Sequence, residues 1–262
     1  MLRTLWATLV AVAATVPLAS ATIVVASLRG NSPAIERIIQ LWARLILWAA
    51  GIELRTENTA VLDLSQRYII VANHYSYFDI PCIFAAIPQP IRFMAKASLF
   101  RIPIFGWAIG RAGFIPIDRK NRRTAVKSFD LAAERIRKGN TIVVFPEEGR
   151  SRDGRMRPFQ RGGFLLALKT ELPVVPVAIK GTWEVFRPGA TRVTPGPVTI
   201  TVTPPIPTAG LTLRDKEGLA EEARMRIATI VFGDDAGGLT PPSPEPSEPE
   251  EAPPGEPSAD RS

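Results

Sequence analysis

The chain holds a single histidine, a single cysteine, three tyrosines and four methionines among its 262 residues. One cysteine, Cys82, excludes an internal disulfide framework and any cysteine-rich zinc site. With one histidine besides, a metal centre would be built almost wholly of carboxylates, so neither a metal nor another cofactor is expected. The sequence contains no G-x-S-x-G elbow and no Walker-type phosphate loop. Hydrolase, nucleotidase and metalloenzyme chemistry are all weakened by these absences. Charge is missing from residues 4–28, and large apolar side chains are almost missing from residues 234–262. The two ends therefore differ in kind from the middle.

The charge-free run lies between Arg3 and Arg29 and is long enough to cross a hydrocarbon core of ~30 Å as a helix of ~20 residues. Pro17 would kink such a helix, which leaves a re-entrant hairpin open as well. A cleaved signal peptide is the third reading, because Ala19-Ser20-Ala21 resembles a cleavage site. The apolar run continues to Leu28, which favours a retained anchor. Beyond it, Ile35, Ile38, Ile39, Trp42, Leu45, Ile46 and Ala49 recur at helical spacing, opposite Glu36, Gln40 and Arg44. That pattern fits an interfacial helix with Trp42 and Trp48 at the headgroups, or equally an amphipathic helix packed on the domain. Arg29, Arg37, Arg44 and Arg55 outnumber Arg3, so the positive-inside bias places the main domain in the cytoplasm.

The net charge of +7 hides an asymmetry. Residues 1–233 carry 31 basic and 17 acidic side chains, a net of +14, while residues 234–262 carry eight acidic side chains and one arginine, a net of −7. The basic part points to phosphate-bearing or membrane-surface partners. The Pro- and Glu-rich tail cannot bury enough surface to offset chain entropy and is expected to be disordered. It would be a solvated tail, or would screen the basic domain. Three units follow: residues 1–50 as anchoring helices, 51–233 as the main domain and 234–262 as the tail.

Within residues 51–233 short β-branched runs alternate with helical segments. Strands are expected at 52–56, 67–72, 92–95, 114–117, 141–145, 174–179 and 198–202, and helices at 80–87, 103–110, 123–138, 162–171 and 213–231. This is an α/β domain: a central, mostly parallel mixed sheet covered by helices. Ligands in such sheets bind beyond the carboxyl ends of the strands. His74 follows one strand, Asp118-Arg119 another and Glu147 to Ser151 a third, so these clusters are expected to converge on one crevice. His74 and Asp79 lie five residues apart, too far round a helix to meet. They meet only if His74 is in the turn and Asp79 near the start of the next helix, where Pro81 fits. A carboxylate on one ring nitrogen would leave the other free as a base. Asp79 also fits a helix cap, alone or in a Ser76-x-x-Asp79 box. Arg119 and Arg150 are placed to pair their forks with phosphate, or are simply solvated. The alternative partner for the stretch 150–161 is anionic lipid or an acidic carrier.

Asn73-His74-x4-Asp79, Phe114-Ile-Pro-Ile-Asp-Arg119, Phe145-Pro-Glu-Glu-Gly-Arg-Ser151 and Val175-Pro-Val-Ala-Ile179 resemble four ordered blocks of the glycerophospholipid acyltransferase family. The likeness is closest to bacterial 1-acyl-sn-glycerol-3-phosphate acyltransferases and covers residues 50–205. It implies that His74, oriented by Asp79, deprotonates the acceptor hydroxyl of a lysophospholipid. The donor would be the thioester of an acyl-CoA or an acyl-carrier protein, and the product phosphatidic acid. Arg119, Glu147 and Arg150 match acceptor-recognition positions, Lys96 matches one that joins them, and Gly149 and Ser151 belong to the same block. Residues 175–179 would wall the site. No nucleic-acid partner is implied. Glu148 and Gly149 replace the usual glycine and threonine of the third block, which bears on the acceptor's identity. Glycerol 3-phosphate or a lyso-aminolipid is the alternative acceptor, and a non-catalytic anionic-lipid binder is the reading outside this class.

Overall fold

The computed structural model describes residues 1–30, 32–117, 122–233 and 239. Two helices come first, α1 (Leu2–Arg29) and α2 (Pro33–Ala50). Then follow β1 (Ile52–Glu57), β2 (Ile69–Ala72), α3 (Asp79–Ala86), β3 (Ile91–Lys96), α4 (Phe105–Ala112), β4 (Ile115–Ile117) and α5 (Arg122–Arg137). The chain continues through β5 (Thr141–Val144), α6 (Gly162–Thr170), β6 (Val174–Lys180), α7 (Thr182–Phe186), β7 (Gly196–Val202) and α8 (Lys216–Phe232). The seven strands form one sheet in the order β1-β7-β6-β2-β5-β3-β4, parallel except for the β6–β7 pair. Each expected strand is present. The short helix α7 was not legible, since five residues give no periodicity to read.

β2 is the middle strand, and all four of its residues are buried. Alternate side chains feed opposite cores. Ile70 and Ala72 join Ala43, Leu47, Ala50, Ile83 and Phe93 on the side of α2 and α3. Ile69 and Val71 join Phe164, Leu166, Ala223 and Ile227 on the side of α6 and α8. Burial on both faces explains why these strands read as continuous apolar runs rather than alternating ones.

The N-terminal helices belong to the fold. α1 runs unbroken through Pro17, so it is not a re-entrant hairpin. It is long and apolar enough to cross a membrane, yet it lies against α2 and α4. Polar contacts hold it at its start, middle and end. Thr4 Oγ1 accepts from the Val193 N–H, Trp42 Nε1 donates to Thr15 Oγ1 at 3.0 Å, and Arg111 donates to Ser27 Oγ. α2 is packed on the domain, since Ala43, Ile46, Leu47, Ala49 and Ala50 are buried. Leu41 and Trp48 stay exposed, and Trp48 meets Trp6 edge to face.

α2 is fixed by an ion pair that its amphipathic pattern did not announce. Glu36, on the polar row, reaches Arg92 of β3, whose side chain is fully buried (Nη2–Oε1 2.5 Å, Nη1–Oε2 3.1 Å). Arg92 also donates from Nε to the Ala112 carbonyl and from Nη1 to that of Ile91. A buried guanidinium is costly to desolvate, and this set of acceptors offsets the cost. The result ties α2, β3 and the end of α4 at one point.

Candidate active site

The site forms where β2 ends between β5 and β6. Asn73 prolongs the pairing with its side chain: Nδ2 donates to the Ile179 carbonyl and Oδ1 accepts from the Ile179 N–H, both at 2.8 Å. With Asn73 fixed, the next residue must leave the sheet. His74 does so, and the loop after β5 grips its backbone on both sides. Its N–H donates to Glu147 Oε1 at 2.7 Å, and its carbonyl accepts from the Ser151 N–H at 2.9 Å.

The imidazole is held as firmly. Nδ1 lies 2.7 Å from Asp79 Oδ2, with the carboxylate side chain fully buried and the imidazole 16% exposed. The same oxygen accepts the N–H groups of Tyr75 at 2.7 Å and Ser76 at 2.8 Å. Asp79 is not the N-cap of α3, which is Phe78, but the first residue of the helix, and its carboxylate closes the preceding turn while it contacts the histidine. The ring stacks on Phe145 (centroids 4.1 Å apart, planes 14° apart), and Phe145 stacks on Phe93. Only the Nε2 edge of the ring is left for a ligand. Phe145 was missed as a site residue, because a phenylalanine ending a strand reads as core.

Glu147, expected beside the acceptor, lies 2% exposed beneath this turn. Its second oxygen, Oε2, accepts from the Arg157 N–H at 2.9 Å. Burial pushes its carboxyl up to about 8, against the pull of the two N–H donors from Arg157 and His74. Tyr75 is also driven well above the usual phenol range, by burial first and then by the neighbouring Glu147 and Asp79 carboxylates. Ser151 is buried, and its hydroxyl donates to Asp153 Oδ1. A Cβ on Gly149 would come within 3.2 Å of Arg157 Nη1. Glu147, Gly149 and Ser151 thus build the loop that carries His74.

The cations lie outside this frame. Arg150 spreads its guanidinium over the Tyr77 ring, 3.5 Å from the centroid. Lys96 is exposed at the end of β3, in register with Ile117 of β4. That register points the path of β4 toward Asp118-Arg119, and Arg119 itself lies outside the described residues. Glu148 adopts a left-handed backbone (φ 57°), which costs an L-residue of its kind about 1 kcal/mol or more. On the α2 and α3 side of the sheet lies an apolar cavity of about 120 Å³. Leu18 and Thr22 of α1, Trp42 of α2, Ile80 and Phe84 of α3 and Phe93 of β3 are among its walls. Phe93 is two stacked rings away from His74. Among the described residues no cluster of three or more His, Cys, Asp or Glu groups suits a metal ion.

A family model described as Acyltransferase matches residues 52–180. The chain is 32% identical over 214 residues to the Homo sapiens protein 1-acyl-sn-glycerol-3-phosphate acyltransferase alpha, covering 81% of this chain and 76% of that one. It is 35% identical over 161 residues to the chloroplastic 1-acyl-sn-glycerol-3-phosphate acyltransferase BAT2 of Brassica napus, covering 61% of this chain. That match spans less than half of the plant protein, 45% of its length. The crystal structure of the 1-acyl-sn-glycerophosphate acyltransferase PlsC from Thermotoga maritima superposes with a TM-score of 0.74 at 24% identity, covering 90% of this chain and 97% of that one. That likeness is one of fold.

Glu147 gives a pH-dependent prediction. Its carboxyl titrates at about 8 when folded and near its ordinary 4.5 when unfolded. The folded state therefore holds the proton more tightly, and the stability this brings is complete below about 4.5 and lost as pH rises to about 8. Thermal melts of the wild type and Glu147→Gln across pH 5 to 9 should show the wild type losing ground to the variant up to about 8 and holding level above it. Parallel curves would show that the carboxyl is not held protonated by burial.

Proposed function

Because the chain belongs to the acyltransferase family, we propose that it transfers an acyl group from a thioester to the free hydroxyl of 1-acyl-glycerol 3-phosphate, giving phosphatidic acid. The observation that carries this reading is the 2.7 Å contact between Asp79 and the chain's only imidazole, which leaves Nε2 free at the mouth of the site. The relatives' activity supplies the acceptor. His74 Nε2 takes the hydroxyl proton while the oxygen attacks the thioester carbonyl carbon. The tetrahedral intermediate collapses as the carbon–sulfur bond breaks, and His74 returns the proton to the leaving thiolate. The acceptor itself is the nucleophile, so no protein serine is needed. Arg150 and Arg119 bind the acceptor phosphate, with Lys96 at the edge, and Glu147 and Ser151 hold His74 in place. The donor is an acyl-CoA or an acyl-carrier protein. The apolar lining of the cavity suits an acyl chain rather than a phosphorylated headgroup.

α1 supports a place at the membrane surface, on the cytoplasmic face of the inner membrane. Leu2, Leu5, Leu9, Val12, Val16, Val24 and Leu28 are exposed along its length, opposite the side that packs on the domain. With Trp6 and Trp48 beside it, this stripe suits a helix lying in one leaflet, with the cavity beneath it.

General-base catalysis contributes ~10²–10⁴-fold, so His74→Ala should lose at least that much turnover with lysophosphatidic acid and a labelled acyl donor, while staying folded. Turnover near that of the wild type would sink the mechanism.

A second expectation concerns the leaflet. Each fully buried leucine or valine contributes ~1.5–3 kcal/mol, so replacing Leu5, Leu9 and Val12 by glutamine should weaken vesicle binding at least tenfold. Turnover on a short-chain, soluble acceptor should hold. Undiminished vesicle binding would place the contact elsewhere.

A further inference from the structure

Residues 150–161 form the most basic loop beside the site, with five arginines and a single acid, Asp153. Two of the five are engaged: Arg150 stacks on Tyr77, and Arg161 pairs with Glu217 at 3.3 Å. Arg152, Arg155 and Arg157 are exposed, and among the described residues no carboxylate lies within ion-pair distance of them. Asp153 is occupied locally, accepting the Ser151 hydroxyl and the Arg155 N–H. This leaves a cationic rim on the loop that holds His74 through Glu147 and Ser151.

The middle of this loop is where the chain returns after α8. Leu239 forms a parallel β-bridge with Met156, which is fully buried between Arg155 and Arg157, and packs against the same core. From that point 23 residues follow, 240–262, with six acidic side chains and one arginine, a net of −5. A random coil of 23 residues would span roughly 25 Å, more where prolines stiffen it. Its carboxylates are therefore held within reach of the rim at an effective concentration on the order of millimolar.

We propose that the arginine rim of residues 150–161 is a docking surface for the chain's own acidic segment 240–262, delivered there by the Met156–Leu239 bridge. The contact is electrostatic. At ~0.1 M salt the screening length is ~10 Å, so occupancy falls as salt rises. This surface does not depend on the acyl-transfer reading, and its test is read without turnover.

The test titrates a synthetic peptide of residues 240–262 onto two proteins: the full chain, and a chain ending at Leu239, which keeps every described residue. At low ionic strength the peptide should bind the shortened chain, and should bind the full chain at least fivefold more weakly because the rim is already filled. Arg152→Gln with Arg155→Gln in the shortened chain should weaken binding at least fivefold, and 0.5 M salt should abolish it. Equal binding to both chains would overturn the proposal. So would no binding at millimolar peptide, or binding unaffected by salt.

Discussion

One carboxylate oxygen sets the geometry of the site. Asp79 Oδ2 accepts the Tyr75 and Ser76 N–H groups and faces His74 Nδ1, all at 2.7–2.8 Å. Those two N–H groups belong to the turn that must follow a strand ending at Ala72. The interaction that closes the turn therefore also orients the imidazole. Buried hydrogen bonds to a charged acceptor contribute more than neutral ones, and each lost partner would leave a desolvated N–H. The histidine cannot drift without breaking the start of α3. Orientation by second partners of this kind is what a general base needs, because proton transfer falls away quickly with misplacement.

Around that point the chain separates two kinds of chemistry. On the α2 and α3 side, Phe145 and Phe93 lead from the imidazole to an apolar cavity walled in part by α1. On the other side, the loop after β5 carries Arg152, Arg155 and Arg157 outward and buries Glu147 inward, while Glu148 and Asp153 stay exposed. Under the proposed reading a phosphorylated headgroup and an acyl chain have opposite solvation needs, which the exposed arginines and the apolar cavity would meet separately. The buried Glu36–Arg92 pair helps hold the N-terminal helices against this arrangement, so α1 and α2 wall the apolar cavity, and under the proposed reading they also meet lipid.

The sheet was legible because a strand buried on both faces leaves an unbroken β-branched run, as in residues 69–72 and 174–179. His74 and Asp79 were legible for a different reason: spacing and a following proline allowed one geometry for their meeting. The role of Glu147 was not legible. A glutamate beside arginines reads as a ligand or ion-pair partner, and only the fold shows that both its oxygens go to backbone N–H groups. The packing of α1 was hidden too, since a run of 25 uncharged residues has the same composition in lipid and on a protein face. Its threonines and serine were the signal, because Thr4, Thr15 and Ser27 are the positions that bond to the domain. Arg119 and most of the acidic tail fall outside the described residues.

The single histidine makes the central arrangement directly measurable, because protein labelled with ¹⁵N in histidine carries one imidazole only. The Asp79 contact requires Nδ1 to hold a proton, so Nδ1 should resonate as a protonated ring nitrogen and Nε2 as a bare one at pH 8. Asp79→Asn, which removes the charged acceptor, should disturb that pattern. A proton on Nε2 with Nδ1 bare, or protons on both nitrogens at pH 8, would contradict a histidine poised by Asp79 as the base.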